Sequence, residues 1–388
     1  MPITPTKLEA MSRASLNPTE AVRLGDLLHE IEELLLRYIT LPQRELASLI
    51  AVWIAGTYLY NQFEYFGYLA LRSATPSCGK SQLLRLIAGL SMGNPPLMTM
   101  PTASVLFRTP RKVLIMDEVD LLRNQNKEAF GAVLAILNSG FERSGTVPRS
   151  EAFGNKWEVK EYPVYGPKAF AGLECLADTL ASRSFNIQMQ RASTKMPRLS
   201  VRRLSAQLEC IRTGLQTWAN EHEQEVLSMY EQLPNELPEL AGREDRFQDI
   251  AEPLLVLAFL ADAECSSKGE VTARLLAGIN CAAGRREPSK RERDLLVFLE
   301  VVKARLNGAE EIFVPSQDLL TVCREREEFS GWESTKALAG FLKHFDLTPR
   351  SDGGIRGYDL SQGWVVSWKE RYRLSTGPAH DGEPIPPR

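Results

Sequence analysis

A short apolar run, a glycine-lysine-serine turn and a helical stretch, in that order, constrain the fold of this 388-residue chain more than any other feature. Residues 68–71 are apolar, residues 73–81 read SATPSCGKS, and helical apolar spacing follows from Gln82. A phosphate group is bound by a loop whose backbone N–H groups converge at a helix N-terminus, with a lysine and a hydroxyl beside it. The segment therefore predicts a strand, a phosphate-binding loop and a helix, which are parts of an α/β fold.

Each part of this loop receives a predicted role. Lys80 grips the β- and γ-phosphates of a nucleotide, and Ser81 supplies a hydroxyl to Mg²⁺. The predicted nucleotide contacts are Thr75, Pro76, Ser77, Cys78, Gly79, Lys80, Ser81 and Gln82. Ala74 stands where such loops usually have their first glycine, so a residue with a Cβ must make the tight turn. The alternative interpretation is a fortuitous strand, turn and helix.

A second apolar run ends in two acidic residues. Residues 112–116 contain an unbroken VLIM run, which is typical of a parallel strand covered on both faces. An enzyme with a phosphate-binding loop needs an acid at the end of a neighbouring buried strand for Mg²⁺, and often a second carboxylate to polarise water. Asp117 is therefore the predicted metal ligand, together with Ser81, and Glu118 the predicted base. The alternative is a buried strand that ends in a solvated acidic turn.

Helical and extended patterns alternate over the first three quarters of the chain. Helical spacing is found in residues 21–36, 42–62, 127–137, 200–233, 249–263 and 272–283, and further strand candidates are residues 157–162, 168–172 and 184–189. Strands interleaved with helices predict an α/β core, here with a mixed sheet.

Composition limits the classes of partner. The chain has 46 Lys and Arg residues against 49 Asp and Glu residues, a formal charge of -3, so any contact with nucleic acid must be local. Six cysteines without a CxxC pair argue against a zinc site and for a reducing compartment, which we expect to be the cytoplasm. We expect neither a membrane span nor a signal peptide, because no apolar stretch approaches about 20 residues and the N-terminus has no basic region before an apolar one.

Several motifs together resemble those of AAA+ ATPases. They are SATPSCGKS, LIMDEVD, LNSGFERSG, YGPKAFAG, LADTLASRSFNIQMQR, DRFQDIAEPLL, KALAGFLKHF and RGYDL, and the resemblance extends over roughly residues 34–372. The chain resembles in particular a family known only as a domain of unknown function, found in phages, plasmids and genomic islands and related to MCM-like helicases. In that family the first loop glycine is usually missing, so the resemblance implies that Ala74 is compatible with nucleotide binding.

The resemblance implies two arginine roles. LASRSF is similar to the segment that carries the arginine finger, so Arg183 would act on the nucleotide of a neighbouring subunit in a ring-like homo-oligomer. A sensor-2 arginine, which contacts the γ-phosphate from the helical lid of the same chain, would be Arg246 or Arg243. A structural salt bridge is the alternative for Arg183, and a solvated charged turn is the alternative for the other two.

Two further elements are expected from the family. Its sensor strand ends in a polar residue, whereas residues 168–172 end in alanine and glycine, and Asn138 orients water instead or caps a helix end. The stretch WEVKEY lies where MCM-like proteins have a channel-facing hairpin, which makes Lys156 and Lys160 candidate nucleic-acid contacts. The alternative for this stretch is a plain solvated hairpin.

The C-terminal part resembles a winged helix. Helices are predicted at residues 294–306, 316–326 and 334–344, before an extended segment at 347–358 with a turn at 352–354. The candidate phosphate contacts are Lys336, Lys343, Arg350 and Arg356, and their binding would depend on salt. Trp332, Trp364 and Trp368 are expected to serve packing, and a winged helix can also bind protein instead of DNA.

The expected architecture has five parts. They are a helical N-terminal segment (1–66), an α/β P-loop AAA+ core (67–198), a helical lid (199–284), a winged-helix-like domain (285–374) and a disordered tail (375–388). The expected function is Mg-ATP hydrolysis coupled to nucleic-acid remodelling by a helicase-like protein of a mobile element, with DNA bound through the C-terminal domain. Two alternatives remain open: an ATP-dependent assembly switch that unwinds nothing, and a DNA-binding module with a degenerate ATPase core.

Overall fold

A computed structural model of the chain shows two compact units, Met1–Arg285 and Arg286–Arg388. The structure describes residues 22–73, 75, 77–99, 101–108, 113–119, 127–153, 156–172, 178–192, 196–234, 237–241, 243–265, 269–282 and 290–371. In the described helices no segment is both long and apolar enough to cross a membrane.

The first unit contains a parallel sheet and a separate hairpin. Its strands are β1 Tyr68–Arg72, β2 Leu97–Thr99, β3 Leu114–Asp117, β4 Thr146–Phe153, β5 Lys156–Pro163, β6 Lys168–Ala171 and β7 Ser184–Gln188. Five of them pair in the order β2-β3-β6-β1-β7, and every pairing is parallel. The α/β prediction is confirmed, but the expected mixed sheet is wrong, because residues 157–162 pair antiparallel with β4 outside the sheet.

Helices cover this sheet and form the rest of the first unit. They are α1 Leu24–Tyr38, α2 Leu46–Gly56, α3 Lys80–Leu90, α4 Ala103–Arg108, α5 Lys127–Ser139, α6 Asp178–Ala181, α7 Ser205–Glu231, α8 Asp245–Cys265 and α9 Glu270–Ala282. Helix α2 is buried on all sides, and α1 and α9 both pack against it. The close approach of α9 requires Gly278, since a Cβ there would lie 2.5 Å from the Glu45 carbonyl oxygen. These helices close the core around the sheet, which explains why the central strands are apolar on both faces.

The β4–β5 hairpin has one packed face and one free face. Arg149 and Tyr162 pack against Phe107 of α4, with the Arg149 guanidinium 4.6 Å from the Phe107 ring centroid. Trp157 and Val159 lie on the other face and are 76% and 71% exposed. The hairpin is therefore anchored by one side only.

The second unit has its own core. It consists of helices α10 Lys290–Leu306, α11 Ser316–Arg324, α12 Thr335–Leu342 and α13 Gln362–Arg371, and of strands β8 Glu311–Pro315, β9 Arg350–Asp352 and β10 Ile355–Ser361. The strands form an antiparallel sheet in the order β8-β10-β9. Trp332, Trp364 and Trp368 contact the buried Phe329, Phe298 and Phe345 respectively, which confirms the packing role predicted for the three tryptophans.

Candidate nucleotide-binding site

The loop between β1 and α3 contains two residues in the left-handed region just before the helix begins. Helix α3 begins at Lys80, immediately after Gly79, which has a φ of +83°. Ser77 also has a positive φ, +63°, which is uncommon for a residue with a Cβ. Left-handed residues in such loops gather successive N–H groups into a concave anion site. The space beside Gly79 is open, since a Cβ placed there would meet no atom within 4 Å.

Side chains of the loop bond to one another across this turn. The Lys80 ammonium donates to the Ser73 hydroxyl at 2.5 Å, and that hydroxyl donates to the Thr75 carbonyl at 2.8 Å. The buried Cys78 sulfur lies 2.8 Å from the Thr75 carbonyl oxygen and 3.2 Å from its hydroxyl. The hydrogen bond with the Thr75 side chain lowers the pKa of the Cys78 thiol, and Ser73 and Lys80 act in the same direction. Ala74 and Pro76 lie outside the described residues.

The remaining loop contacts proposed from the sequence lie at the start of α3. Ser81 is half-buried and Gln82 is exposed, one and two residues after Lys80. Thr75 and Ser77 are exposed on the loop itself. The described members of the predicted contact set therefore lie together along one loop and one helix start.

Asp117 and Glu118 lie at the end of β3, the strand that the sequence predicted to carry the acidic residues of the site. Asp117 is the last residue of β3 and is 9% exposed, and its Oδ1 accepts the Glu118 N–H at 3.0 Å. Glu118 is exposed and has a φ of +55°, a strained backbone conformation of the kind found at functional sites.

Strand register brings the two motifs to the same edge of the sheet. Phe170 of β6 lies between Ala70 of β1 and Met116 of β3, so Asp117 lies at the level of the last residues of β1. One strand separates β1 from β3, which places their axes about 10 Å apart. We call this the loop edge; it consists of residues 73–81 with Asp117 and Glu118.

The strand between the two motifs supplies no polar side chain at its end. Strand β6 stops at Ala171, and Gly172 follows with a φ of +104° and donates its N–H to the Leu71 carbonyl at 3.4 Å. The polar sensor of the resembled family is thus missing at these two positions, as the sequence indicated. Residues 173–177 lie outside the described part of the chain.

The two candidate arginines lie together at the opposite edge. Arg183 directly precedes β7, and its carbonyl accepts the N–H of Tyr68, the first residue of β1. The Arg183 guanidinium lies 4.6 Å from the centroid of the Phe141 ring, and the Arg246 guanidinium lies 5.9 Å from the same centroid. We call Phe141, Arg183 and Arg246 the arginine edge.

Carboxylates lie near both cations of the arginine edge without forming a close ion pair among the described residues: the charge of Glu142 acts to raise the pKa of Arg183, and the charge of Arg246 acts to lower the pKa of Asp249. Within the described residues, neither guanidinium forms an ion pair, and the buried Nε of Arg183 has no hydrogen-bond partner. Among the described residues, Arg183 donates through Nη1 to the Thr179 carbonyl. Burial lowers the pKa of Arg183, and the nearby charge of Arg246 lowers it further. Two positive groups that share one ring and repel each other are suited to an anion brought from outside the chain.

This placement does not bring Arg246 to the loop of its own chain. The five residues of β1, at about 3.3 Å each, put the arginine edge roughly 15 Å from the loop edge. A contact from Arg246 to a phosphate held by Lys80 of the same chain is therefore not available in this structure. Arg243 is engaged elsewhere, since it donates to Asn280 Oδ1 and lies 5.5 Å from the Phe247 ring.

Asn138 and the hairpin lysines also have definite places. Asn138 lies inside the last turn of α5, three residues before Phe141, and its buried Oδ1 accepts no hydrogen bond from the described residues, so no capping bond from this oxygen is seen there. Lys160 is exposed, with Nζ 5.1 Å from the Tyr162 ring. The side chain of Lys156 lies outside the described residues.

In the second unit, all four candidate phosphate contacts are exposed, and three of them form no ion pair that the structure shows among the described residues. Lys336, Lys343 and Arg356 are exposed. Arg350 instead bonds to Asp359 at 2.5 Å and lies 3.5 Å from Asp352, so its charge is already compensated. The hydrogen bond to Asp359 raises the pKa of Arg350. Arg350 therefore joins β9 to β10 through exposed ion pairs, and its phosphate contact stays a prediction.

Sequence reasoning missed three residues of these edges. Ser73 holds Lys80, Thr99 of β2 lies opposite Asp117 in the sheet, and Phe141 carries both arginines. The only signal for Phe141 was its place in the motif LNSGFERSG, which does not indicate a contact with residues 42 or more positions away.

Comparison with known proteins gives a coarse likeness. Neither a scan against protein-family models nor a search of curated proteins finds a match. The structure is similar to the active helicase Cch of SCCmec type IV, with 12% identity, a TM-score of 0.39, and coverage of 82% of this chain and 68% of that one. It is also similar to a chain of the Drosophila ORC bound to DNA, with 14% identity, a TM-score of 0.21, and coverage of 95% and 100%. These similarities assign no role to an individual residue.

Proposed function

We propose that this protein is a Mg-ATP-hydrolysing P-loop ATPase of the AAA+ type, which couples hydrolysis to nucleic-acid remodelling as a helicase-like protein of a mobile element. The observation that carries the ATPase proposal is the loop edge, where Lys80 and Ser81 begin a helix and Asp117 and Glu118 end a strand two positions away in the sheet. The motif resemblance supports the link to nucleic acid and to mobile elements.

The residues of the loop edge fit a magnesium nucleotide. The open space beside Gly79 and the helix N-terminus suit a phosphate chain, and Lys80 would contact its β- and γ-phosphates. A hydroxyl and a carboxylate are oxygen ligands of the kind that Mg²⁺ takes, so Ser81 and Asp117 would hold the ion. Glu118, exposed beside Asp117, would accept the proton of the attacking water.

The arginine edge would complete the site of a second copy. Because it lies at the far edge of the sheet, a loop-bound phosphate that Arg183 and Arg246 contact would be held by the loop of another subunit. Guanidinium groups bind phosphate oxygens through strong charge-assisted hydrogen bonds, and a finger in trans is worth about 10³ to 10⁵ in rate in GTPase systems. We therefore propose a ring-like homo-oligomer, with Arg246 acting beside Arg183 and not from the same chain as first expected.

The domain roles follow the same proposal. Residues 199–284 would act as the helical lid and residues 285–374 as a winged-helix-like domain. Lys336, Lys343 and Arg356 would contact DNA phosphates, and this binding would weaken with salt.

One observation favours a second candidate function. The end of β6 carries Ala171 and Gly172 where a polar sensor is expected. An ATP-dependent assembly switch, which binds ATP and recruits partners without unwinding, needs no efficient sensor.

ATPase measurement with and without single-stranded DNA tests these functions. Wild type should hydrolyse ATP faster with DNA, and Glu118→Gln should bind ATP but lose turnover at least about 100-fold, as expected for a lost general base. Turnover that is indifferent to DNA would favour the switch. No turnover under either condition would refute the enzyme.

A further inference from the structure

A lysine is completely buried at the start of the central strand β6. Lys168 is 0% exposed, and its Nζ donates to the carbonyl oxygens of Val164 at 2.8 Å, Gly166 at 2.9 Å and Gly140 at 3.1 Å. The same ammonium lies 5.0 Å from the centroid of the Tyr68 ring. A buried charge is tolerated only when its donors are satisfied, and here each of the three N–H groups of an ammonium has a carbonyl partner.

These carbonyls belong to two segments that are far apart in the sequence. Gly140 ends helix α5, while Val164 and Gly166 lie in the loop between β5 and β6. The Gly166 N–H also donates to the Gly140 carbonyl at 3.1 Å. Gly140 leaves no room for a side chain, since a Cβ would lie 2.5 Å from Lys168 Nζ and 2.4 Å from the Val164 oxygen. Lys168 thus fastens the end of α5 to the loop that enters the sheet.

The residue after Gly140 is Phe141, whose ring lies against both guanidinium groups of the arginine edge. The backbone carbonyl of Phe141 accepts the Phe66 N–H at 2.8 Å, and its side chain is 6% exposed. Both Arg183 and Arg246 rest against this ring. The position of the ring therefore follows from the backbone at Gly140, which Lys168 holds.

We propose that Lys168 is a positioning residue for the arginine edge: it fixes the turn at Gly140 so that Phe141 presents Arg183 and Arg246 to the nucleotide of a neighbouring copy. Lys168 touches neither nucleotide nor Mg²⁺, because it lies at the opposite end of β6 from the loop edge. This inference rests on the proposed ATPase function. It names the residue that keeps Arg183 and Arg246 in place for the nucleotide of a neighbouring copy.

The proposal predicts an asymmetric defect. Lys168→Met keeps the aliphatic stem but removes the ammonium, so the Val164 carbonyl loses its buried donor and the helix end loses the cation that favours it. The variant should keep its own loop edge and bind a fluorescent ATP analogue within about twofold of wild type. It should lose at least tenfold in ATPase turnover as the sole subunit, because no copy then supplies well-placed arginines.

Mixed assemblies separate the two edges. Lys80→Ala cannot use its own loop but supplies intact arginines, whereas Arg183→Ala has an intact loop and supplies no finger. Lys168→Met should regain activity when mixed with Lys80→Ala and should stay inactive when mixed with Arg183→Ala. Lys303→Met, on an exposed position of α10, is the matched control and should equal wild type in every mixture.

Three results would overturn the inference. The first is wild-type turnover by Lys168→Met alone. The second is rescue of Lys168→Met by Arg183→Ala. The third is inactivity of Lys168→Met with both partners, which would indicate a general structural loss. If Lys168→Met does not fold, Phe141→Leu removes the ring itself, and rescue of that variant by Arg183→Ala would refute the proposed role of the Phe141 ring in placing the arginines. Failure of Lys80→Ala and Arg183→Ala to rescue each other would instead refute the proposed function, and this inference with it.

Discussion

Glu252 makes the stability of the first unit depend on pH in a way that can be measured. It lies on α8, half-buried, and its pKa is raised from 4.5 to about 7, mainly by burial and further by the nearby carboxylates of Asp249 and Glu64. The folded chain therefore keeps the proton up to about pH 7, whereas the unfolded chain releases it near pH 4.5. Because the folded state binds more protons between pH 4.5 and 7, the free energy of unfolding falls as the pH rises through this range. Above pH 7 this loss of stability is complete.

The size of the effect follows from the shift. A fully desolvated carboxyl with this pKa would destabilise the folded chain by about 3 kcal/mol once ionised. Water screens part of this because Glu252 is only half-buried, so we expect about 1 to 2 kcal/mol. Glu252→Gln should therefore stabilise the protein by that amount at pH 8 and by almost nothing at pH 4.5.

Urea unfolding at the two pH values provides the test. The difference between wild type and Glu252→Gln cancels the titrating groups that do not interact with Glu252, whereas Asp249, which is coupled to it and also has a raised pKa, adds to the difference in the same direction. Glu231→Gln, at the exposed end of α7, is the control and should show no pH-dependent difference. A stability difference between wild type and Glu252→Gln that is equal at both pH values would refute the reasoning.

Two further predictions concern stability and binding. The buried carboxylate of Asp262 accepts the N–H groups of Val271 and Thr272, at 2.9 and 3.0 Å, and the Thr272 hydroxyl at 2.7 Å, so it caps α9 from a distant turn of α8. Asp262→Ala should cost about 2 to 4 kcal/mol in urea unfolding, and a loss below about 1 kcal/mol would contradict this capping role. Lys336→Ala should weaken DNA binding and reduce the slope of log affinity against log salt by about one, as for a lost phosphate contact. Lys369→Ala, whose ammonium is paired with Glu300, should leave that slope unchanged, and an unchanged slope for Lys336→Ala would exclude the contact.

Much of the loop edge could be predicted because its signals are local. The apolar run of β1, the turn residues and the helical spacing of α3 follow one another directly, so short-range conformational preference determines all three. The VLIM run before Asp117 is equally self-contained. Short strands escaped prediction for the corresponding reason: the three residues of β2 are too few to show a period.

Pairing over long distances had no local signal. The alternating stretch at residues 157–162 reads as a strand in any sheet, and only its register with β4 shows that it forms a separate hairpin. Arg350 reads as a free cation next to a turn, and only the antiparallel pairing of β9 and β10 brings Asp359 to its side.

The sequence by itself determined the strand, loop and helix around Gly79-Lys80-Ser81 and the acidic end of β3, because each is built from neighbouring residues whose spacing encodes its shape. The tertiary structure alone decided where the two arginines lie. Parallel strands place their two ends at opposite edges of the sheet, so Arg246 joins Arg183 on Phe141 and lies away from Lys80 of its own chain. The buried bonds of Lys168 hold that arrangement, and they join residues that no sequence pattern connects.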